Sequence, residues 1–159
     1  MKGLDNFDLK ILRELQINAE ISMQELGDRV GLSHTPCWRR VKRLEEQGVI
    51  RKKVTLLDGA NLGLAVNVFV HVTIKNHREN GLTLFEEAVQ EIPEIVECYT
   101  VSGDRDFLLR IVVGDVADYE QLLKRTLINL PGVDNLSSTF ALRQVKYTTE
   151  YPLGRVATT

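Results

Sequence analysis

The chain has 159 residues, a net charge of -2 and 43% hydrophobic residues, enough for one small and one medium-sized core. The near-neutral average hides an asymmetry, since residues 1–60 carry 11 Lys or Arg against 9 Asp or Glu, whereas residues 61–159 carry 9 against 13. No apolar run approaches the roughly 18 residues that span a bilayer, and the N-terminus lacks a secretory apolar segment, so we expect a cytoplasmic protein without a membrane partner.

The first segment with a helical pattern begins close to the N-terminus. Residues 4–8 have the composition of a helix cap. Behind this cap, the spacing of Phe7, Ile11, Leu12 and Leu15 predicts a helix with these four side chains in a core. We expect this helix to be one wall of a three-helix domain that spans about the first 48 residues.

A second, shorter helix follows. Ser22 and Glu25 have the spacing of a capping box, and Leu26 and Val30 would face inward. Gly27 costs about 1 kcal/mol relative to alanine inside a helix, which close approach of a neighbouring helix would compensate. Gly31 can adopt the left-handed conformation that ends this helix and turns the chain into the next.

The third helix carries the strongest functional signal. Ser33 is a good N-cap, Pro36 fits the first turn, and Gly48 ends the helix. A helix of roughly 22 Å fits the DNA major groove with its first turns toward the base edges. The two short helices joined through Gly31 therefore predict a helix-turn-helix.

At about 100° per residue, Cys37, Val41 and Leu44 form one apolar stripe that we assign to the core. The remaining face is the predicted DNA-binding surface. A solvated histidine in the first turn is an equally good interpretation of His34. The predicted DNA contacts on this helix are Ser33, His34, Thr35, Trp38, Arg39, Arg40, Lys42 and Arg43.

Residues 49–56 resemble a strand, and Arg51, Lys52 and Lys53 within it could follow a DNA backbone. Between residues 36 and 53 the chain has seven Lys or Arg against two Glu. Such clustering supplies salt-sensitive affinity for DNA. A solvated surface helix is the alternative for the basic run alone, but the helix caps on both sides favour DNA binding.

The second half of the chain alternates between strand and helix patterns after a turn-rich connector over residues 58–63. This order, β-α-β-β-α-β, predicts a ferredoxin-like fold, and hence an α+β protein. The predicted elements are strand 65–74, helix 82–92, strand 95–101, turn 102–106, strand 107–113, helix 116–130 and strand 133–145.

In this fold both helices cover one face of the sheet, so the other face needs a partner. Within the chain, only the tail after Tyr147 remains to cover it. We therefore expect two such sheets to pack face to face in a homodimer. Paired recognition helices would then bind two half-sites related by symmetry.

Metal and disulfide chemistry are not indicated. Cys37 and Cys98 form no CxxC motif, so we expect two buried thiols. His34, His71 and His77 lack the spacing of a metal site. We expect no metal and no cofactor.

An enzyme is an alternative interpretation, with Asp104 and Asp106 as a general acid and base. These aspartates lie two residues apart in a tight turn, with no histidine, nucleophile or phosphate-binding loop nearby in sequence. We therefore expect no catalytic residues and no enzymatic activity.

Four segments of the chain form a specific combination of motifs. They are Leu4-Asp5-x-x-Asp8-x-x-Ile11-Leu12-x-x-Leu15-Gln16, Val30-Gly31-Leu32-Ser33-x-Thr35-Pro36-Cys37-x-x-Arg40-Val41-x-x-Leu44, Ser102-Gly103-Asp104-x-Asp106-Phe107-Leu108-Leu109 and Leu130-Pro131-Gly132-Val133. On these segments the chain resembles the Lrp/AsnC family, the leucine-responsive or feast/famine transcriptional regulators. Gly27, where alanine is commoner, and Trp38 depart from the family pattern.

The resemblance implies a winged-helix-like helix-turn-helix domain over residues 1–57, a linker over 58–64, a RAM domain over 65–150 and a tail over 151–159. It implies a regulator that binds pseudo-palindromic operators in double-stranded DNA. Dimers would assemble through RAM domains into larger rings, often octamers. A ligand-independent architectural DNA-binding protein is the alternative.

The resemblance also places an amino-acid effector at contacts between RAM domains. Asp104 or Asp106 could accept hydrogen bonds from an ammonium group, and the N–H groups of a glycine turn could bind a carboxylate. Without the resemblance, a simple hairpin turn would explain these residues better. The implied effector residues are Thr100, Val101, Ser102, Gly103, Asp104 and Asp106, with Thr139 of a neighbouring subunit.

Overall fold

The computed structural model describes residues 3–75 and 79–156. It divides into two compact units. The first contains the residues up to Leu56 and the segment from Lys146 onward, and the second spans Leu57–Val145.

Three helices form the first unit, as predicted: α1 (Asn6–Ile17), α2 (Met23–Val30) and α3 (His34–Glu46). Ile11, Leu26 and Leu44 are fully buried between them. The prediction was wrong for Phe7, which lies in the first turn of α1 and is 37% exposed. Leu9 is buried instead.

Residues that end and join the helices explain the turn between α2 and α3. The Ser22 hydroxyl accepts a hydrogen bond from the Glu25 N–H at 3.1 Å. Gly31 has a φ of +79°, which confirms the predicted left-handed helix end. A Cβ atom on Gly27 would lie 2.6 Å from the Leu32 carbonyl oxygen, so the following turn, rather than a neighbouring helix, requires the small residue.

Two predicted caps differ in detail. The Glu25 side chain binds Arg29 at 2.7 Å, so only the Ser22 half of the capping box is found. Ser33 occupies the N-cap of α3, but its side chain makes no capping hydrogen bond. Gly48 adopts a φ of +70° just beyond the last turn of α3, as expected for a glycine that ends a helix.

The strand predicted over residues 49–56 is absent: the described chain has no strand between α3 and Val66. A strand requires a neighbour for its backbone hydrogen bonds, and none lies beside this segment in the single chain. Val54 and Leu56 are consequently exposed.

The C-terminal segment packs on the first unit. The Tyr151 N–H donates to the Gln16 Oε1 atom at 2.7 Å, and the Gln16 amide donates to the Tyr151 carbonyl at 3.4 Å. Leu153, in a short 3-10 turn (Leu153–Arg155), contacts the core of this unit. These described tail residues therefore contribute to the helical unit.

The second unit has the predicted order β-α-β-β-α-β: β1 (Val66–Ile74), α4 (Glu79–Gln90), β2 (Ile95–Thr100), β3 (Phe107–Val113), α5 (Val116–Arg125) and β4 (Val133–Phe140). The sheet is antiparallel with the order β2-β3-β1-β4. The helix α5 ends at Arg125, earlier than predicted, because a 3-10 turn (Leu127–Asn129) occupies the residues before Pro131. The strand β4 also ends earlier than predicted.

Buried and more exposed side chains alternate along the central strands β1 and β3, so the two faces of the sheet differ. Val68, Val70 and Val72 of β1 are fully buried, as are Leu109 and Ile111 of β3, and all five belong to one core with the helices. The residues between them, including Phe69 and Arg110, are exposed or half-buried. We call this second side the open face.

No helix in the described part of the chain is long and apolar enough to cross a membrane.

Candidate DNA-binding and effector sites

The third helix presents one polar face outward. Cys37, Val41 and Leu44 are buried as predicted, which leaves Thr35, Trp38, Arg39 and Lys42 exposed on the opposite side. Trp38 is 46% exposed, a large fraction for an indole side chain. The predicted contacts Ser33 and His34 are also exposed at the start of the helix.

The cations of this helix fall into two groups. Arg39 makes no ion pair within residues 3–75 or 79–156, and Lys42 makes a 3.4 Å pair with Glu45 of its own helix. Arg40 instead contacts Asp8 of α1 and Asp5, the N-cap of that helix, and Arg43 contacts Asp8. Arg39 is therefore available to an anionic partner, and Lys42 can exchange its long, solvent-exposed pair for one, whereas Arg40 and Arg43 are held in shorter pairs with a buried carboxylate.

Asp8 is the centre of this second group. Its side chain is fully buried and accepts from Arg40 Nη1 at 2.8 Å, from Arg43 Nη2 at 2.5 Å and from the Asp5 N–H at 3.1 Å. Arg40 Nη1 also donates to Asp5 Oδ2 at 2.6 Å. A buried carboxylate needs such compensation because it has lost its hydration. We call Asp5, Asp8, Arg40 and Arg43 the Asp8 cluster.

Two further observations describe the edge of the Asp8 cluster. The guanidinium carbon of Arg40 lies 5.4 Å from the centre of the Phe7 ring, within range of a cation–π interaction. Partial burial raises the pKa of Asp5, but the backbone N–H of Asp8 and the Arg40 guanidinium outweigh this effect, so the pKa is lowered.

The Asp8 cluster was not among the predicted features, although the sequence contains a signal for it. Asp8 lies on the same helical face as Ile11, Leu12 and Leu15, so an acidic residue was directed into a core. An acidic residue on an apolar face requires a buried partner, and Arg40 and Arg43 flank the apolar stripe of α3.

The basic segment after α3 is irregular and exposed. Arg51, Lys52 and Lys53 lie on the surface, and none forms an ion pair among the described residues. These three cations are therefore accessible to a charged partner.

The predicted effector turn connects β2 and β3. The Val101 N–H donates to the Asp106 carbonyl at 2.9 Å, and Gly103 has a φ of +110°. Thr100, Ser102 and Asp104 are exposed, and Val101 is half-buried. The turn thus places the exposed Asp104 carboxylate directly after a glycine with a left-handed backbone.

Asp106 differs from Asp104 in its contacts. Its Oδ2 atom accepts from the Ile74 N–H at 2.8 Å, and its own N–H donates to the Val72 carbonyl at 2.9 Å. Asp106 therefore attaches the turn to the end of β1. Asp104 is the more accessible of the two carboxylates.

The single chain does not bring Thr139 to this turn. Thr139 of β4 pairs with Phe69 of β1, at one edge of the sheet. The strand β2, which leads into the turn, lies at the other edge. The proposed contribution of Thr139 to an effector site thus requires a second subunit.

A shallow cavity of about 360 Å³ lies at the opposite end of β3. Its lining includes Val113, Gly114, Asp118 and Arg125, and none of the predicted effector residues. Sequence analysis gave no indication of it.

No group of three metal-ligating side chains is present within the described ranges, and His77 lies outside them. Cys37 is buried, as predicted, and Cys98 is only half-buried. Burial raises the pKa of both thiols.

Comparison with known proteins identifies similar chains for both units. Residues 4–51 match the winged helix-turn-helix DNA-binding family, and residues 67–151 match the Lrp/AsnC ligand binding domain. The leucine-responsive regulatory protein of Haemophilus influenzae is 45% identical over 147 residues, which cover 92% of this chain and 89% of that protein.

Solved structures agree with these matches. An AsnC family transcriptional regulator from Agrobacterium tumefaciens has a TM-score of 0.90 and 46% identity, with 95% of this chain and 98% of that chain covered. A transcriptional regulator from Neisseria meningitidis, solved as a complex with L-Met, has a TM-score of 0.89 and 35% identity, with 94% and 97% covered.

Proposed function

The chain belongs to the Lrp/AsnC family of DNA-binding transcriptional regulators, and from this premise we propose that it binds pseudo-palindromic operators as a homo-oligomer and responds to an amino acid. The observation that carries the DNA-binding part is the outward face of α3. There an apolar stripe holds the helix in the core, while Trp38, Arg39 and Lys42 face solvent. The proposed activity is binding rather than catalysis.

In this proposal the first turns of α3 contact base edges, and cations near them bind phosphates. Ser33, His34 and Thr35 are at the end of the helix that enters a groove in helix-turn-helix proteins. Arg51, Lys52 and Lys53 supply further sequence-independent affinity. Trp38 provides a large apolar surface, suited to contact with a thymine methyl group.

The open face supports the proposed dimer. It exposes Phe69 and Tyr99, and it holds an ion pair in which Arg110 Nη2 lies 2.7 Å from Glu97 Oε1. Apolar and paired polar groups on an uncovered sheet favour a self-complementary partner, which a second copy supplies. Assembly of dimers into an octamer would follow from further contacts between these domains.

The effector part of the proposal concerns the turn from Thr100 to Asp106. Asp104 would accept from the ligand ammonium, and the N–H groups near Gly103 would bind its carboxylate. The solved complex of the Neisseria relative with L-Met supports an amino acid as the ligand class. Thr139 of an adjacent subunit would complete the site.

Gel-shift titration with Arg39→Ala and Lys42→Ala tests the recognition helix. Both variants should bind DNA more weakly than the parent chain, while light scattering gives an unchanged oligomer mass. Arg125→Ala is the matched control, because it removes an exposed cation from the second unit. Unaltered DNA affinity in both α3 variants would overturn the assignment.

A thermal-shift screen of the twenty amino acids tests the effector, since a specific ligand raises the apparent stability by mass action. Asp104→Asn should abolish the shift and spare basal DNA binding. No shift with any amino acid would favour an architectural DNA-binding protein.

A further inference from the structure

We propose that Asp8 is a positioning residue for DNA recognition, which holds Arg40 and Arg43 away from the phosphates and so fixes the face of α3 that meets DNA. This inference rests on the proposed DNA-binding function. It assigns different roles to the two pairs of cations on α3. Arg39 and Lys42 contact DNA, whereas Arg40 and Arg43 orient the helix.

The Asp8 carboxylate is buried and fully hydrogen-bonded within the Asp8 cluster. The Asp8 side chain has no exposure to solvent, and the Arg40 side chain is 25% exposed. Two guanidinium groups and one backbone N–H satisfy the Asp8 carboxylate. The Asp8 cluster contains two carboxylates and two guanidiniums, so its formal charge is zero.

A DNA phosphate would have to compete with the two carboxylates for Arg40. For Arg40 to reach a phosphate, its Nη1 atom would have to leave two carboxylates at once. The Asp8 carboxylate would then remain buried with fewer donors, which is strongly unfavourable. Phe7 covers the Arg40 guanidinium and adds to this cost.

The geometry of α3 places the two pairs of cations on different sides of the helix. Arg40 and Arg43 lie three residues apart and therefore on one side of α3. Arg39 and Lys42 have the same spacing but are rotated by about 100° around the helix axis. Because the Asp8 cluster holds Arg40 and Arg43 against α1, the helix keeps one orientation. Arg39 and Lys42 therefore face solvent in a fixed direction.

The test measures how DNA affinity depends on salt, with the full chain and short mixed-sequence duplex DNA. The slope of log K against log salt concentration falls by about 0.9 for each phosphate contact that is lost. Arg39→Ala and Lys42→Ala should each lower this slope by about that amount per bound protomer. Arg40→Gln and Arg43→Gln should weaken binding and leave the slope unchanged.

Asp8→Asn supplies an effect of the opposite sign. It keeps the shape of the side chain but removes the charge that balances Arg40 and Arg43, so one or both should reach phosphates and steepen the slope. Loss of stability alone does not produce this change. Arg40→Lys keeps the charge and should restore part of the affinity that Arg40→Gln loses.

Circular dichroism establishes that each variant is folded, and the Arg43→Gln measurement remains decisive if Asp8→Asn does not fold. A slope that falls in Arg40→Gln and Arg43→Gln as much as in Arg39→Ala would overturn the inference while leaving the proposed DNA-binding function intact. Failure of the parent chain to bind DNA would overturn both.

Discussion

The two aspartates of the proposed effector turn should respond differently to alanine substitution. Asp106→Ala removes the acceptor of the Ile74 N–H, and Ile74 is itself buried. A hydrogen bond to a charged group contributes about 1.5–3 kcal/mol, and a buried N–H left without a partner costs a similar amount. Asp104→Ala removes an exposed side chain and should change the free energy of unfolding by less than about 0.5 kcal/mol.

Urea denaturation followed by circular dichroism measures both effects. We expect Asp106→Ala to lower the free energy of unfolding by about 1.5–3 kcal/mol, and Asp106→Asn to lower it less because the amide oxygen still accepts. In a thermal scan, each kcal/mol corresponds to about 2–4 °C for a chain of this size. Equal stability of the two alanine variants would refute the structural role of Asp106 at the end of β1.

Two further variants probe the helical unit. Leu44→Ala should lower the free energy of unfolding by about 2–5 kcal/mol in the same assay, because Leu44 is fully buried in that core; a loss under about 1 kcal/mol would contradict its core position. The folded-state pKa of Asp5 is below its usual value of 3.8, so its stabilising contribution is present above that pH and is lost as the pH falls through the lowered value. Asp5→Asn should therefore reduce the loss of urea resistance between about pH 5 and pH 3, and an unchanged pH profile would show that Asp5 has no such linkage.

The helices of the first unit could be predicted because their signals are local. Ser22 marks a helix start through its hydroxyl, and Gly31 and Gly48 mark helix ends through their left-handed backbone. The spacing of Cys37, Val41 and Leu44 identifies the buried face. Such signals act within a few residues of sequence. They require no knowledge of which distant segment packs against the helix.

The remaining features depend on distant partners. Asp8 is more than thirty residues from Arg40 and Arg43, so its place on an apolar helix face indicated a buried partner without showing which residues supply it. Residues 49–56 have the composition of a strand but no neighbouring strand in the chain. In both cases composition was insufficient, because the outcome is decided by what lies beside the segment.

The candidate site divides in the same way. Periodicity predicted that Trp38, Arg39 and Lys42 would face away from the core and that Arg40 and Arg43 would flank the apolar stripe, but it did not show that these two arginines are paired with aspartate. The effector turn was placed correctly between two strands, whereas its composition did not show which carboxylate is bonded to the sheet. Assignment of roles within each group required the folded chain.

The most direct test of the account is the DNA affinity of the full chain with and without the amino acid that raises its thermal stability. Coupling between an effector site and a DNA site of about 1–3 kcal/mol would change the affinity by a factor of roughly 5–150. We predict such a change for the parent chain and its loss in Asp104→Asn, with basal DNA binding retained. Equal DNA affinity in the presence and absence of every amino acid would contradict the claim that an amino acid governs this DNA-binding protein.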